Sequence, residues 1–131
     1  FPIHPRTNKN IESFSLGNKI KSMKNLIVTE PLGYLDFLCL MGNSKFVITD
    51  SGGIQEETTV LGIPCITMRN NTERPVTVEQ GTNVLVSTDK SKIIQASRNL
   101  LKQAAPKGKI PKFWDGKAAK RVLDVLTNKL N

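Results

Sequence analysis

Two glycines and a serine stand between an apolar run and a helical pattern. The run Phe46–Thr49 leads through Asp50 into Ser51, Gly52 and Gly53. Backbone N–H groups and the positive end of the helix dipole converge at such a turn, which suits a phosphate. Glycine has no Cβ to keep the backbone from the oxygens, and the serine hydroxyl adds a hydrogen bond. The turn predicts an anion site, with an ordinary tight turn as the alternative.

Two glutamates lie about one helical turn beyond these glycines. Glu56 and Glu57 are three and four residues past Gly53, which places them near the turn on the predicted helix. A carboxylate there can accept hydrogen bonds from both hydroxyls of a ribose. Adjacent glutamates on a helix are also common as solvated surface charge, so the spacing supports a binding role for only one of them.

A loop with two arginines follows the next apolar run. Residues 69–75, RNNTERP, come after the predicted strand Pro64–Met68. In a doubly wound sheet this loop reaches the same carboxyl edge as the glycine turn. Arg69 or Arg74 could bind a phosphate there in a bidentate manner. The alternative is that Arg74 pairs with Glu73 or caps a helix.

Histidine and cysteine are scarce in the chain. The single histidine, His4, follows the predicted strand Phe1–Ile3 and is expected at the same sheet edge, either lining a ligand cleft or serving a structural role. The two cysteines, Cys39 and Cys65, lie in apolar runs without CxxC spacing. We therefore expect both cysteines to be small buried hydrophobic side chains and not disulfide or metal ligands.

Short apolar runs alternate with helical patterns, an order that predicts βαβ units and a parallel sheet. The predicted strands are Phe1–Ile3, Leu26–Val28, Phe46–Thr49, Pro64–Met68 and Val84–Val86. Three helices are predicted at Thr7–Phe14, Tyr34–Met41 and Ile54–Leu61. A fourth is capped by Thr88 or Asp89, and its core face is formed by Ile93, Ile94, Leu100 and Leu101. A fifth is capped by Asp115, and its core face is formed by Ala118, Ala119, Val122, Leu126 and Leu130. Residues 105–111 are predicted to form a loop. The fold class is α/β, a single Rossmann-like domain with about five parallel strands flanked by helices.

Composition narrows the class of protein. A chain of 131 residues with 38% hydrophobic and 23% charged residues fits one domain. The net charge of +8 is spread along the chain and aromatic residues are 5%, which argues against nucleic acid and favours a solvated basic face that attracts a small anion. The sequence lacks an apolar run of about 20 residues and a secretory pattern at its start, so we expect a cytoplasmic protein and no membrane partner. Because the chain begins with Phe1, we expect a piece of a longer protein.

Several motifs together resemble one known family. The sequence contains DSGGIQEE at 50–57, LGIP at 61–64, TERP at 72–75, Gly81 before LVSTD at 85–89, and DGKA at 115–118. Their order and spacing resemble the carboxy-terminal domain of UDP-N-acetylglucosamine 2-epimerases over essentially the whole chain. Residues 1–131 would form this UDP-binding domain, one half of a two-domain glycosyltransferase-B-like enzyme. The amino-terminal catalytic domain would lie outside the chain.

The resemblance implies a role for each candidate residue. The implied ligands are Ser51, Gly52 and Gly53 for the diphosphate, Glu57 for the ribose hydroxyls, the backbone around Phe37 for the uracil edge, Arg74 for phosphate charge, and His4 for the cleft lining. No cofactor or metal ion is implied. The implied partners are UDP, a UDP-N-acetylhexosamine, the missing amino-terminal domain and a second copy of the chain in a homodimer.

The resemblance also implies a reaction. Family members interconvert UDP-N-acetylglucosamine and UDP-N-acetylmannosamine by eliminating UDP to give 2-acetamidoglucal and adding UDP back, and some hydrolyse the product instead. This chain would hold the UDP leaving group, in the service of cell-surface polysaccharide biosynthesis. The carboxylates that move the C2 proton would belong to the amino-terminal domain, so the chain alone is expected to be inactive.

A few positions depart from the family pattern. Trp114 stands where a small residue is usual, Val76 where an acidic residue follows TERP, and HPRT occupies positions 4–7 in place of the more common HxNP. These departures bear on substrate preference more than on fold. The alternatives to an epimerase are a stand-alone UDP-sugar-binding or sensor module and a transferase domain of the glycosyltransferase-B class.

Overall fold

The computed structural model describes residues 1–102 and 108–130, and the chain divides into two units, Phe1–Leu40 and Met41–Asn131. In chain order, the helices and strands are α1 (Pro5–Ser13), α2 (Gly17–Lys21), α3 (Tyr34–Gly42), β1 (Val47–Thr49), α4 (Gly52–Leu61), β2 (Cys65–Thr67), α5 (Pro75–Glu79), β3 (Asn83–Leu85), α6 (Lys90–Lys102) and α7 (Ala118–Leu130). Within this described part, no helix combines the length and the apolar character that crossing a membrane requires.

The sheet lies in the second unit and has three parallel strands in the order β1-β2-β3. Val47 is in register with Cys65, and Cys65 with Asn83. All residues of the central strand β2 are buried. Since successive side chains of a strand point to opposite faces, both faces of the sheet are covered at its centre. The α/β class with a parallel sheet flanked by helices is confirmed, and the expected number of five strands is wrong.

The two predicted strands that are missing from the sheet lie in the first unit. Phe1–Ile3 and Leu26–Val28 run alongside each other, but they form only an isolated parallel bridge between Pro2 and Thr29. The bonds on either side of this bridge run from the Ile3 N–H to the Thr29 carbonyl and from the Thr29 N–H to the Phe1 carbonyl, and the pairing cannot extend past Ile3 because His4 is already the N-cap of α1. Ile27 is 75% exposed, so this segment is not a strand buried on both faces, as its apolar residues suggested.

Two of the local signals at helix ends were predicted correctly in the second unit. Helix α4 ends at Gly62, which has φ 70° and lies in the left-handed region that glycine tolerates. Asp89, one of the two predicted caps, accepts a hydrogen bond from the N–H of Lys92 at 2.9 Å. Asp115 accepts from the N–H of Lys117 at 3.1 Å, but α7 begins only at Ala118 and Gly116 has φ 73°, so the prediction that Asp115 caps this helix is wrong. Helix α4 packs against β2 and β3, and α5 packs against β3.

Two predictions about burial are wrong. Cys65 is buried as expected, but Cys39 is exposed. Helix α3 is apolar nearly all round, so its sequence did not indicate which face would be covered. The predicted core faces of α6 and α7 are not covered either, since Leu101, Val122 and Leu126 are each more than half accessible. An amphipathic pattern shows that a face is suited to burial, and it does not supply the partner. The predicted loop 105–111 falls partly on residues 103–107, outside the described residues.

Candidate functional site

The predicted anion turn forms where strand β1 ends. Ser51 is the N-cap residue of α4 with an extended backbone, φ −82° and ψ 134°, and its N–H donates to the Thr49 hydroxyl at 3.1 Å. The Ser51 side chain is exposed and makes no capping bond to the helix. Gly52 and Gly53 are the first residues of α4, so their N–H groups have no acceptor inside the helix. The turn therefore presents backbone donors and one hydroxyl at the carboxyl edge of the sheet.

The two glycines of the turn have different surroundings. A Cβ built on Gly53 meets nothing within 4 Å, whereas a Cβ on Gly52 would overlap the Oε1 atom of Glu73. The carboxylate of Glu73 also accepts from Arg69 Nη1 at 2.9 and 3.2 Å. Its own backbone N–H and the Arg69 guanidinium lower the pKa of Glu73. A charged carboxylate thus lies against the glycine that was predicted to approach a phosphate.

Arg74 pairs with a glutamate of the helix and not with its neighbour in the loop. Its Nε atom lies 3.0 Å from Glu56 Oε1, while Arg69 pairs with Glu73. The alternative that Arg74 pairs with Glu73 is therefore wrong, and the alternative that it caps a helix is correct for its backbone, because Arg74 is the N-cap residue of α5. Both loop arginines are held by carboxylates close to the turn. Either guanidinium would have to exchange partners to bind a phosphate.

Of the two adjacent glutamates, only one is paired. Glu56 binds Arg74, whereas Glu57 is half-buried and makes no hydrogen bond or ion pair with any residue that the structure describes. The spacing of the two glutamates in the sequence did not show which of them would be paired. It leaves the carboxylate of Glu57 available to accept hydrogen bonds from a ligand.

His4 and Phe37, the remaining candidates, lie in the first unit. The Nδ1 atom of His4 accepts from the N–H of Arg6 at 3.2 Å, so this exposed histidine caps α1. The N–H of Phe37 donates to the Gly33 carbonyl at 2.9 Å, in the first turn of α3. Both residues therefore have a local structural role. For His4, capping a helix is the structural role that the sequence left open as an alternative.

A buried network of polar side chains underlies the turn and was missed by sequence reasoning. The Oε1 atom of Gln55 accepts from the Thr72 hydroxyl at 2.6 Å and from Asn83 Nδ2 at 3.0 Å. Asn83 also donates to the Thr77 hydroxyl at 3.0 Å and accepts from the Thr67 hydroxyl at 2.6 Å. All of these residues except Thr72 are fully or almost fully buried. The available signal was the placement of Thr67 and Asn83 in strands that are otherwise apolar.

The arrangement is suited to binding an anion with a sugar attached. It offers first-turn N–H groups, the Ser51 hydroxyl and two arginines as donors, and the Glu57 carboxylate as an acceptor. Among residues 1–102 and 108–130, no cluster of three His, Cys, Asp or Glu side chains is arranged to hold a metal ion. The donors and acceptors of this site can bind a ligand through backbone and side-chain hydrogen bonds.

Comparisons with known proteins identify one family. The family model for UDP-N-acetylglucosamine 2-epimerase matches residues 1–127. The UDP-N-acetylglucosamine 2-epimerase of Methanocaldococcus jannaschii is 48% identical over 97% of this chain and 34% of its own length. The enzyme of that name from Escherichia coli K12 is 40% identical over 98% of this chain and 34% of its own length. The chain thus spans about a third of the length of these curated relatives.

Solved structures give the same result. The crystal structure of the M. jannaschii UDP-GlcNAc 2-epimerase in complex with UDP-GlcNAc and UDP superposes with a TM-score of 0.85 at 48% identity, covering 98% of this chain and 35% of that one. The UDP-GlcNAc 2-epimerase of Neisseria meningitidis bound to UDP-GlcNAc gives a TM-score of 0.81 at 32% identity, covering 97% of this chain and 34% of that one. From the motifs, the fold and these matches, the chain belongs to the UDP-N-acetylglucosamine 2-epimerase family.

Proposed function

We propose that this chain is the UDP-binding part of a UDP-N-acetylglucosamine 2-epimerase, lying in the carboxy-terminal half of the complete enzyme. The observation that carries the proposal is the turn Ser51–Gly53 at the amino end of α4, in the same unit as two arginines and the unpaired carboxylate of Glu57. A family member of the same fold was crystallised with UDP-GlcNAc and UDP. The proposal gives this turn the diphosphate of such a ligand.

Each group of the site receives a specific task. The N–H groups of Gly52 and Gly53 and the Ser51 hydroxyl bind the diphosphate oxygens, and Glu57 accepts from the ribose hydroxyls. Arg74 leaves Glu56 and binds phosphate charge. The backbone at Phe37 for the uracil edge and His4 for the cleft stay predictions of the same proposal, as do a homodimer, a cytoplasmic location and a role in polysaccharide synthesis.

In the proposed reaction this site stabilises the leaving group. A base removes the C2 proton, the C1–O bond breaks, and its electron pair goes to the β-phosphate oxygen of UDP, leaving 2-acetamidoglucal. UDP then adds back to C1 as a proton returns to the opposite face of C2. Donors that are already in position stabilise the charge developing on UDP without reorganisation. The proton-transfer groups are assigned to the rest of the full-length enzyme.

Calorimetric titration of this chain with UDP tests the binding step. We expect UDP to bind and UMP to bind more weakly, because UMP lacks the β-phosphate that the turn would hold. Replacing Ser51 or Glu57 by alanine should each weaken UDP binding by about 1–3 kcal/mol, the range of a charge-assisted hydrogen bond. Ser91→Ala and Glu79→Ala, at exposed positions of the same unit, are the matched controls.

Two outcomes would contradict the proposal at different levels. A folded chain that gives no heat with millimolar UDP would rule out a UDP site. Unchanged affinity in both Ser51→Ala and Glu57→Ala would refute the assigned roles while keeping the site. With the full-length protein, formation of the mannosamine epimer identifies an epimerase, and transfer of the sugar to an acceptor identifies a transferase.

A further inference from the structure

One fully buried amide connects the two segments that carry the proposed diphosphate ligands. The side chain of Gln55 is on α4 and has no exposed surface. Its Nε2 atom donates to the carbonyl of Ser51 at 3.2 Å, which ties the amide to the turn. Its Oε1 atom accepts from the hydroxyl of Thr72, in the arginine loop, at 2.6 Å. Donor and acceptor of the same amide thus bind the turn and the loop at once.

Thr72 carries this connection on to Arg74. The hydroxyl oxygen of Thr72 donates to Gln55 and accepts from the backbone N–H of Arg74 at 3.0 Å. The carbonyl of Arg74 in turn accepts from the hydroxyl of Thr77 at 2.8 Å. The backbone of Arg74 is therefore held on both sides while its guanidinium, paired with Glu56, extends toward the turn. A side chain held in this way can exchange partners without its backbone moving.

We infer that Gln55 and Thr72 are positioning residues, which fix the turn 51–53 and the loop 69–74 relative to each other and so set the affinity for UDP through Arg74. The inference deepens the proposed function and rests on it for its ligand. Neither residue touches the diphosphate in this scheme. Thr72 acts through Arg74, and Gln55 acts through the carbonyl of Ser51 and the hydroxyl of Thr72.

The hydrogen bonds of the Thr72 hydroxyl distinguish a positioning role from ordinary packing. Thr72 is only half-buried, and both bonds of its hydroxyl are to groups of the site. If its hydroxyl is removed, Gln55 Oε1 still accepts from Asn83 at 3.0 Å, so the buried amide keeps a partner. A buried polar group that keeps a partner avoids most of the desolvation penalty. The loss of the hydroxyl should therefore disturb the loop much more than the fold.

The test compares Thr72→Val, which keeps the shape and loses the hydroxyl, with Thr72→Ser, which keeps the hydroxyl. Thr127→Val, on the exposed face of α7, is the matched control. We expect Thr72→Val to weaken UDP binding about tenfold, the value of one lost hydrogen bond, while Thr72→Ser stays within about twofold. In an Arg74→Ala background, Thr72→Val should weaken UDP binding no further, because the residue through which it acts is gone.

Amide hydrogen exchange gives a readout that needs no ligand. In Thr72→Val we expect faster exchange of the Arg74 N–H, which loses its acceptor, and of the Thr77 N–H, which donates to the Arg74 carbonyl, with α6 unchanged. In Thr127→Val we expect no change at either N–H group. If the unmodified chain fails to bind UDP, the proposed function fails, and exchange alone then decides this inference. Unchanged exchange of the Arg74 and Thr77 N–H groups in Thr72→Val would overturn it. Wild-type UDP affinity in Thr72→Val, or an equal loss with and without Arg74, would also overturn it and leave the UDP site standing.

Discussion

The two units of the chain differ in how their polar side chains are hydrogen-bonded and in how far their apolar side chains are buried. In the second unit a three-stranded sheet has a fully buried central strand, and buried amides and hydroxyls bond to one another across helices and strands. In the first unit Ile3 is the buried apolar side chain among the described residues, and the backbone is joined by a single bridge. Its large exposed apolar side chains are Phe1, Phe14, Leu16, Met23, Leu26, Ile27, Val28, Leu32, Tyr34, Leu35 and Leu40.

The difference explains which candidate residues have a defined geometry. Ser51, Glu56 and Arg74 lie on elements that are held by the buried side chains of Gln55 and Thr77, which bond to the carbonyls of Ser51 and Arg74. His4 and Phe37 are fixed by bonds to residues only two and four positions away in the chain. A local cap orients one side chain, whereas a buried network sets the spacing of several segments. We therefore expect substitutions in the second unit to have large effects and matched ones in the first unit to have small effects.

The largest effect is expected at Asn83. Asn83→Leu keeps the approximate volume but leaves Gln55, Thr77 and Thr67 each without one partner in a buried site. Unpaired buried polar groups cost about 1–3 kcal/mol each, partly relieved by relaxation, so we expect unfolding to become easier by about 2–4 kcal/mol. Urea unfolding followed by circular dichroism measures the change.

The control is the same substitution in the first unit. Asn10 is exposed on α1, so Asn10→Leu should alter the free energy of unfolding by less than about 0.5 kcal/mol. Equal losses in the two variants would remove the distinction between the units.

A smaller effect is expected from a methyl group at Gly81. A Cβ at this position would lie 2.5 Å from both the Thr59 hydroxyl and the Thr77 carbonyl, so α4 or α5 would have to move. We expect Gly81→Ala to destabilise the fold by about 1–3 kcal/mol, as overpacking does elsewhere. In the first unit, Gly17→Ala meets nothing within 4 Å and should be neutral or stabilising by up to about 1 kcal/mol. Thermal unfolding of the two variants compares them directly, and destabilisation by Gly17→Ala would contradict the contrast.

Sequence reasoning succeeded where the signal is local. The turn Ser51–Gly53, the stop at Gly62 and the cap Asp89 depend on residues a few positions apart, and the structure has each of them. The α/β class followed from the alternation of apolar runs and helical patterns. The number of strands did not, because Phe1–Ile3 and Leu26–Val28 have the composition of strands without the pairing partners that extend a ladder.

The polar network could not be predicted, since it depends on contacts between distant parts of the chain. Gln55 and Asn83 are 28 residues apart, and Gln55 and Thr72 are 17 apart. Only the crossovers of the sheet bring them together. The pairing of Arg74 with Glu56 is of the same kind, because the loop sequence offered Glu73 as the nearer acceptor. The sequence identified the candidate binding groups, and the fold determined which groups hold them in place.

A modest loss of stability is expected when one methyl group is removed from the core of the sheet. Ile66 is the central residue of β2 and has no exposed surface, so Ile66→Val should cost about 0.5–1.5 kcal/mol through the lost methyl group and the gap that it leaves. Ile27→Val removes the same group from a side chain that is 75% exposed, and should change the free energy of unfolding by less than about 0.5 kcal/mol. Chemical unfolding of both variants gives the difference. A cost at Ile27 as large as that at Ile66 would show that the first unit buries this side chain in solution.

The smallest effect is expected beyond the sheet, at the ion pair before α7. Hydrogen bonds from Arg121 and from the Lys117 N–H lower the pKa of Asp115 below its ordinary value of 3.8. A lowered carboxyl pKa stabilises the fold above the unfolded value, and this contribution is lost as pH falls through the folded pKa. Asp115→Asn should therefore lower Tm slightly at about pH 7, and the difference from the unmodified chain should shrink below about pH 4.

Removing the other partner provides the check on this pair. Arg121→Gln should reproduce the small loss of Asp115→Asn, and the double variant should lose no more than either one, because the two substitutions break the same interaction. Both side chains are more than a third exposed, so added salt should reduce the difference as well. A difference that persists at low pH could not come from the charge of Asp115, and would instead show that asparagine does not keep the bond to the Lys117 N–H. In that case the geometry of the turn before α7, and not the ion pair, would account for the loss of stability.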